Sequence, residues 1–421
     1  MPELRPFRGL RYDAARVPDL SAVLCPPYDV ITPSERERLL ARDPHNAVRL
    51  ELPASTPAAA TADDFARAAR TLQGWISDGT LIRDERPMLY VYEQHFAAGD
   101  RTPRVARSFF CELRLEEYGP GSGVRPHEHT LGPAKEHRFQ LLSATRAHLS
   151  PVLLLYEGDS AALLDELTAA ARPEEALGPD GVGQRLWAID PVLVPAARDL
   201  IAFAGARPLT IADGHHRYET ALRYRDSPGT PAGADHVLAL LFSAASGGLE
   251  LEPWHRVIAN VPDHATVLKT AGELFDAAPI ASANELVGTI AGSKQAGIVG
   301  LWTRGGGSML RIDQARMEAY LPANASEEVR RLDVSVLSGT LRRMIGASEA
   351  ELTAQGRLTY THDAREAVRR VEQSEADVCF LLRPTPVGQV LAVAAATDFM
   401  PPKSTYFHPK AATGLVFDPT F

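Results

Sequence analysis

Four ionisable side chains surround a single glycine near the middle of the chain, in the segment LTIADGHHRYETAL at residues 209–222. Alternating apolar residues before Gly214 predict the end of a buried strand, and helical spacing resumes after it. Backbone N–H groups converge where such a helix begins, so the turn favours anion binding and phosphate above all. The side chains at this turn are Asp213, His215, His216 and Arg217. The competing interpretation is a polar helix cap with surface histidines, which so dense a cluster disfavours.

A second polar cluster, PHEH, precedes a predicted helix that begins after Pro133. On an extended chain its alternation places His127 and His129 on one face and Glu128 on the other. The spacing is not HExxH and no cysteine lies nearby, so zinc is not favoured. Glu128 is a candidate general base, and the alternative is a solvated carboxylate beside the first turn of a helix.

Other candidates lie far from these motifs in sequence. Asp29 follows PPY and could hold a metal or a substrate amine, or form an Asx turn that caps the next helix. His255 and Arg256 either approach the same anion or form an ordinary strand-edge pair. Lys403 and Lys410 lie in the tail MPPKSTYFHPK, which folds back as a cationic lid or remains a surface segment.

Composition limits the class of protein. The chain has 421 residues, 45% of them hydrophobic, and a formal net charge of −9. Spread along the chain, this charge disfavours general affinity for nucleic acid or an acidic membrane. No run is long enough to span a bilayer and no signal-peptide core is present, so a cytoplasmic protein is expected. The three scattered cysteines predict neither a disulfide framework nor a metal site, and each is expected to be buried.

The elements that position these residues alternate between strand and helix, which predicts an α/β protein with mixed sheets. Three domains are expected, an N-terminal α/β domain at 1–118, a nucleotide-binding core at 119–260 and a C-terminal α/β domain with a lid-like tail at 261–421. Strands are expected at 23–25, 45–53, 152–156, 185–189 and 237–242, a hairpin at 88–96 and 105–115, and helices at 61–77, 160–172, 192–203, 265–275, 326–345 and 363–374. Gly305–Gly307 is expected to form a hairpin turn, because a phosphate loop would need a following helix.

Five motifs recur in one order in a known family: PPYDV, PHE, ADGHHRYETAL, LDVSV and MPPKSTYFHPK. On these motifs the chain resembles, from end to end, the prokaryotic family catalogued as domain of unknown function one-zero-one-five. The order of PHE, helix, strand and DGHHR is also similar to the ParB/sulfiredoxin-like superfamily and, within it, to the free serine kinases. This resemblance implies a ParB/sulfiredoxin-like central core with N-terminal and C-terminal α/β additions.

In the free serine kinases DGHHR binds nucleotide phosphates, and an upstream glutamate activates the hydroxyl of serine. The resemblance therefore implies a phosphate site at Asp213 to Arg217 and a base at Glu128. The spacer between the two motifs is longer here than in the compact kinases, which leaves Asp29 and Glu51 as alternative bases.

The predicted function is transfer of a phosphoryl group from ATP or ADP to the hydroxyl of a small metabolite, with free serine as one candidate. Such transfer asks a protein for positioning and for positive charge, which the loop and Mg²⁺ would supply. The predicted catalytic residues are Glu128, Asp213 and His216, and Asp213 is also the predicted metal ligand. The residues predicted to bind phosphate are Gly214, His215, His216, Arg217, Lys135, Lys403 and Lys410. The residues predicted to bind the substrate are Asp29, His127, His255 and Arg256.

Two alternatives belong to other classes. One is a non-catalytic nucleotide-binding switch of the ParB kind, which would leave Glu128 dispensable. The other is a metal-dependent hydrolase that uses His127, His129, His215 and His216. Stoichiometric zinc would favour the hydrolase, whereas dependence on Mg²⁺ would favour phosphoryl transfer.

Overall fold

Continuous apolar runs form the centre of the largest sheet. Val152–Tyr156 and His236–Ser243 are buried along their whole length and pair in parallel. Strands that are apolar at every position need cover on both faces, so they occupy the middle of a sheet. The computed structural model describes residues 1–99, 101–119, 121–130, 132–261, 263–293 and 295–421, with the backbone alone for 132–134.

The described chain divides into two units, Met1–Glu250 with Pro409–Phe421, and Leu251–His408. In its described residues the first unit has one mixed sheet of nine strands. Across the sheet the order is Val124–Arg125, Leu209–Asp213, Val152–Tyr156, His236–Ser243, Pro103–Arg114, Leu89–Ala97, Gly183–Ile189 and Glu174–Leu177, with Leu4–Arg5 paired beside Pro103–Arg114. The protein is thus mixed α/β, while the ParB-like core and the three-domain division stay predictions.

The remaining elements of the first unit surround this sheet. Its α-helices are Leu20–Val23, Pro33–Arg42, Val48–Glu51, Ala62–Ser77, Gly132–Thr145, Ala161–Ala170, Pro195–Gly205 and His215–Arg225. Short 3₁₀ turns are Tyr28–Val30, Pro57–Ala59 and Ala232–Asp235, and small strand pairs join Leu10–Tyr12 to Leu81–Arg83 and Ala147–His148 to Asp418–Pro419.

The second unit has its own sheet and core. Its six described strands follow the order Asp276–Ile280, Gly306–Arg311, Ile298–Thr303, Val378–Leu382, His255–Ile258 and Leu358–Thr361. Its helices are His264–Leu274, Ala283–Gly292, Gln314–Met317, Glu327–Arg330, Asp333–Ile345, Glu349–Ala354, Ala364–Glu372 and Val387–Ala395, with a 3₁₀ turn at Glu318–Tyr320. Short strands also lie at Glu250–Glu252 and Tyr406–His408. The expected hairpin at Gly305–Gly307 is confirmed by the antiparallel pairing of the strands on either side.

Most predicted elements are present with ends shifted by a few residues. The helix expected at 61–77 is Ala62–Ser77, and a capping box between Thr61 and Asp64 fixes its start. The hairpin is confirmed as Leu89–Ala97 and Pro103–Arg114, although Asp100 of its turn lies outside the described residues. All three cysteines are buried and unpaired. None of the helices in the described ranges combines the length and apolar character that a membrane span requires.

Two strand predictions near the N-terminus are wrong. The segment predicted as a strand at 45–53 contains the helix Val48–Glu51, because the Asn46 side chain accepts a hydrogen bond from the Val48 N–H at 3.0 Å and starts a turn. The segment predicted at 23–25 overlaps the helix Leu20–Val23, which Asp19 caps. Of that predicted strand, Cys25 alone makes a β-bridge, to Thr413.

The C-terminal segment Pro409–Phe421 is part of the first unit's core. Phe417 is fully buried and packs in the same cluster as Leu10, Trp75 and Leu141. Its backbone exchanges hydrogen bonds with that of Leu10 at 2.8 and 2.9 Å. The end of the chain is therefore held by side-chain packing and by strand-like pairing.

Phe417→Ala should lower the free energy of unfolding by about 3–5 kcal/mol, because it leaves a cavity in this core. Urea denaturation followed by circular dichroism measures the loss. Phe421→Ala is the matched control, since Phe421 is exposed and its removal should cost less than about 0.5 kcal/mol. Equal effects of the two variants would contradict the burial of this segment.

Candidate functional site

The turn at Gly214 has the geometry that the sequence predicts. The strand Leu209–Asp213 ends there, and Gly214 adopts a left-handed conformation with φ 94° and ψ 26° before the helix His215–Arg225. A side chain at this position would be strained, which explains the glycine. The first bond of the helix runs from the Tyr218 N–H to the Gly214 carbonyl at 3.0 Å, and no side chain caps it. The first turn of this helix is therefore at a position where helix starts favour anions.

Asp213 lies between two cations. Arg217 donates from Nη2 to one carboxylate oxygen, and Lys410 donates from Nζ to the other. Burial alone would raise the pKa of Asp213, but Lys410 and Arg217 outweigh burial and hold that pKa well below its usual range. Arg217 also donates from Nη1 to the Pro151 carbonyl. The carboxylate is therefore ionised, and the guanidinium is held from both sides.

Lys410 reaches this site because the C-terminal segment is anchored at Lys410 and directly after it. The Gln94 side chain donates to the Lys410 carbonyl at 2.9 Å, and the Tyr92 hydroxyl accepts from the Ala412 N–H at 3.4 Å. Cys25 and Thr413 exchange backbone hydrogen bonds at 3.1 and 2.8 Å. The prediction that the tail covers the motif thus has a specific contact in Lys410.

A pair of buried histidines lies beneath the loop. The rings of His127 and His215 meet edge to face with centroids 4.6 Å apart. His127 donates from Nδ1 to the Ile211 carbonyl at 2.6 Å, and its backbone N–H donates to Nε2 of His215 at 3.3 Å. Burial lowers the pKa of His127 to about 4 and that of His215 well below its usual value. Both rings are neutral at neutral pH, and the proton of His215 is on Nδ1.

Glu128 lies in front of this proton. Its Oε1 is 4.0 Å from Nδ1 of His215, and its side chain is 33% exposed. His216, half-buried, follows on the helix, and burial lowers the pKa of its imidazole while Glu219 opposes that shift. Asp29 is exposed on the turn Tyr28–Val30 and acts electrostatically on His216. The structure therefore brings Asp29 and Glu128, the predicted substrate and base residues, to the motif.

Lys135 is also near the motif helix. Its Nζ donates to Glu219 at 3.0 Å, and the Thr130 hydroxyl donates to the same carboxylate oxygen at 2.6 Å. Neither Glu219 nor Thr130 is among the residues predicted from the sequence. Glu219 could have been found, because it follows His215 by four residues and so lies on the same helix face.

Glu51, an alternative base, belongs to a buried ion pair. Arg138 donates to its Oε1 at 3.1 Å and to its backbone carbonyl at 2.7 Å, and its guanidinium lies 3.8 Å from the centre of the Tyr28 ring. Arg138 was not among the predicted residues. Its position seven residues before Thr145 on the helix Gly132–Thr145 carries no local feature that identifies it.

Three predicted residues belong to the second unit and have partners there. His255 is buried and its Nδ1 accepts from the Leu382 N–H at 3.2 Å. Arg256 is fully buried against Glu349 at 3.0 Å. The Nζ of Lys403 lies 4.5 Å from the centre of the Trp254 ring. Their predicted roles toward the anion stay predictions.

A family model described as "Protein of unknown function (DUF1015)" matches residues 4–335. The chain belongs to this family. Among curated proteins no significant match is found.

Solved structures give distant matches. One is a free serine kinase in complex with AMP, with 12% identity and a TM-score of 0.35 over 68% of this chain and 83% of that one. A mutant free serine kinase in complex with ADP has 12% identity and a TM-score of 0.36 over 68% of this chain and 84% of that one. SbnI from Staphylococcus aureus, with a C-terminal truncation, has 11% identity and a TM-score of 0.33 over 70% of this chain and 85% of that one. At these values the likeness does not identify an activity.

The buried histidines predict a pH dependence of stability. The pKa of His127 is about 4 in the folded chain and 6.5 in an ordinary histidine, so the unfolded chain binds more protons between these values. Stability present above pH 6.5 is therefore lost as the pH falls. His127 alone should contribute a loss of about 2 kcal/mol between pH 7.5 and pH 5.

Urea denaturation at both pH values measures this loss. His127→Asn keeps a donor for the Ile211 carbonyl and should reduce the loss by about 2 kcal/mol. His129→Asn, at an exposed position, should leave the loss as in the wild type. An unchanged loss in His127→Asn would show that this histidine is not held neutral.

Proposed function

We propose that the chain is a nucleotide-dependent phosphotransferase that acts on the hydroxyl of a small metabolite. The observation that carries this proposal is the uncapped helix start at Gly214, flanked by the side chains of Arg217 and Lys410. Backbone donors and fixed cations at one point match the charge of a nucleotide's terminal phosphate. The DGHHR resemblance to the free serine kinases supports the same assignment.

The two cations are suited to bind charge that develops in the transition state. Asp213 and the Pro151 carbonyl hold Arg217, and Gln94 fixes the backbone beside Lys410. Donors that are already oriented cost no reorganisation when negative charge moves. Phosphoryl transfer depends mostly on such positioning, since little other chemistry is needed from the protein.

Glu128 is the proposed base. It is partly exposed, so a substrate hydroxyl can approach it, and it lies 4.0 Å from the Nδ1 of His215, which points a proton toward it. A neutral imidazole lies beside the carboxylate without adding a positive charge that would weaken it as a base. Glu128 would accept the proton of the attacking hydroxyl, and His215 would act as a positioning residue.

The loop does not offer a preformed metal cage. Both carboxylate oxygens of Asp213 are in ion pairs, and the described residues contain no group of three histidine, cysteine or acidic side chains that could hold a metal. Magnesium commonly binds through substrate phosphates with few protein ligands. Mg²⁺ would therefore arrive with ATP or ADP and would supply charge neutralisation at the phosphates.

Glu128→Gln separates catalysis from binding. Turnover should fall by about 10²–10⁴-fold, because the amide cannot take a proton, while nucleotide protection against heat should persist. Mass spectrometry of products from a panel of amino acids and hydroxy acids, with ATP or ADP and Mg²⁺, measures turnover. Glu136→Gln, which alters an exposed carboxylate on the helix Gly132–Thr145, is the matched control.

Turnover by Glu128→Gln at the wild-type rate would exclude Glu128 as the base. Nucleotide protection without turnover in the wild type across the whole panel would instead favour a nucleotide-binding switch. Neither protection nor turnover would overturn the proposal.

Lys410→Met tests the proposed phosphate site through nucleotide affinity. The variant removes one positive charge from the loop, so nucleotide affinity should fall by about tenfold or more, as expected for loss of a charge-assisted hydrogen bond. Isothermal titration calorimetry with ADP and Mg²⁺ measures the change. Lys269→Met removes an exposed lysine of the helix His264–Leu274 and should leave the affinity unaltered. Equal affinities of the two variants would place Lys410 outside the nucleotide site.

A further inference from the structure

A partly enclosed cavity of about 270 Å³ lies within the second unit. The motif LDVSV, which the proposed function does not use, contributes Asp333 and Val334 to its lining. The tail motif MPPKSTYFHPK contributes Ser404. Two segments that are far apart in sequence therefore meet at this cavity.

Arg383 brings unused donors to the cavity. Its side chain is 5% exposed, and its Nε donates to Oδ2 of Asp333 at 2.6 Å. Its two terminal nitrogens make no hydrogen bond within the described part of the chain, and neither is fully buried. The fully buried Arg256, by contrast, uses all three of its side-chain nitrogens as donors. A molecule in the cavity can therefore reach N–H groups of Arg383 that the chain itself does not use.

Asp333 holds this arginine and offers little to a cation. Its Oδ2 accepts from Arg383, and its Oδ1 accepts from the Gly297 N–H at 2.9 Å, so each oxygen already has a donor. One charge of each sign cancels within the pair, so the ligand is selected by hydrogen-bond geometry. The groups of the pair that remain unused are donors, which favours a ligand that accepts.

Few other donors face the cavity. The Thr385 hydroxyl donates to the Ser404 carbonyl at 3.3 Å, and the Ser404 hydroxyl donates to the Pro401 carbonyl. The Gln389 side chain is half-buried and makes no hydrogen bond within the described part of the chain. Arg383 and Gln389 together can serve the two oxygens of a planar carboxylate, but they leave the further oxygens of a phosphate without donors.

The other walls are apolar and include Trp254, Val334 and Leu382. The indole of Trp254 is held by a hydrogen bond from Nε1 to the Thr405 carbonyl at 3.1 Å. The Nζ of Lys403 lies 4.5 Å from the centre of the same ring, which adds positive charge beside this wall. An apolar substituent can pack against these side chains, while the charge of Lys403 favours an anion over a neutral acceptor.

We propose that this cavity binds a small monocarboxylate, with its two oxygens on the terminal nitrogens of Arg383 and its apolar part against Trp254. Gln389 would donate to one of the same oxygens. The lining belongs to the second unit, and binding would need neither a nucleotide nor a hydroxyl group on the ligand.

Titration of the full chain with propionate in the absence of nucleotide, followed by ligand-observed NMR, tests this site. Propionate should bind more tightly than propionamide, which has the same shape without the charge, by about tenfold or more. Arg383→Lys should weaken propionate binding by about tenfold or more, because an ammonium keeps the charge beside Asp333 but lacks the paired N–H groups of the guanidinium.

Gln389→Glu is the second variant, because it adds a negative charge to the lining without changing the size of the side chain. It should also weaken propionate binding by about tenfold or more, and it decides the matter if Arg383→Lys does not fold. A glutamate near the start of the helix Val387–Ala395 does not oppose folding. Gln373→Glu, at an exposed position of the same unit, is the matched control and should bind propionate as the wild type does.

Propionate binding that is absent in the wild type, is equalled by propionamide or is unaltered in both cavity variants would overturn the site. Each of these results is independent of nucleotide binding and of phosphoryl transfer, so the site and the proposed function fail separately.

Discussion

The ion pairs of Asp213 with Arg217 and Lys410 connect the parts on which the site depends. They join the end of the strand Leu209–Asp213, the first turn of the motif helix and the last segment of the chain. A carboxylate in this half-buried position is stable only with its partners, since removal of either cation leaves charge poorly solvated. The C-terminal segment must therefore be packed on the first unit for the loop to hold its charges in place.

Next to these ion pairs lie two uncharged histidine rings. His127 and His215 are buried and neutral, and His127 donates two hydrogen bonds, from Nδ1 to the Ile211 carbonyl and from its backbone N–H to Nε2 of His215. Because Nε2 of His215 accepts, its remaining proton faces Glu128. The tautomer of one ring is thus fixed by the backbone of the other.

The parts of the fold that the sequence predicts are local. Gly214 indicates a turn because glycine readily adopts the left-handed conformation found there. The runs at Val152–Tyr156 and His236–Ser243 are apolar enough to identify buried strands. The strand predicted at 45–53 is wrong because the Asn46 side chain accepts a hydrogen bond from the Val48 N–H, which apolar periodicity does not reveal. Pairings across long stretches of chain, such as Asp213 with Lys410 or Glu51 with Arg138, depend on tertiary packing. The sequence predicts that the C-terminal tail covers the motif, but it does not predict the contact of Lys410 with Asp213.

Arg217 is held in one orientation at the start of the motif helix. Its two terminal nitrogens are held by Asp213 and the Pro151 carbonyl, so the guanidinium plane has a fixed orientation. A guanidinium that is already oriented loses little freedom when its remaining N–H groups donate to a further acceptor. A lysine at this position would keep the charge but could not hold two partners in one plane, so the arginine is needed for its shape as much as for its charge.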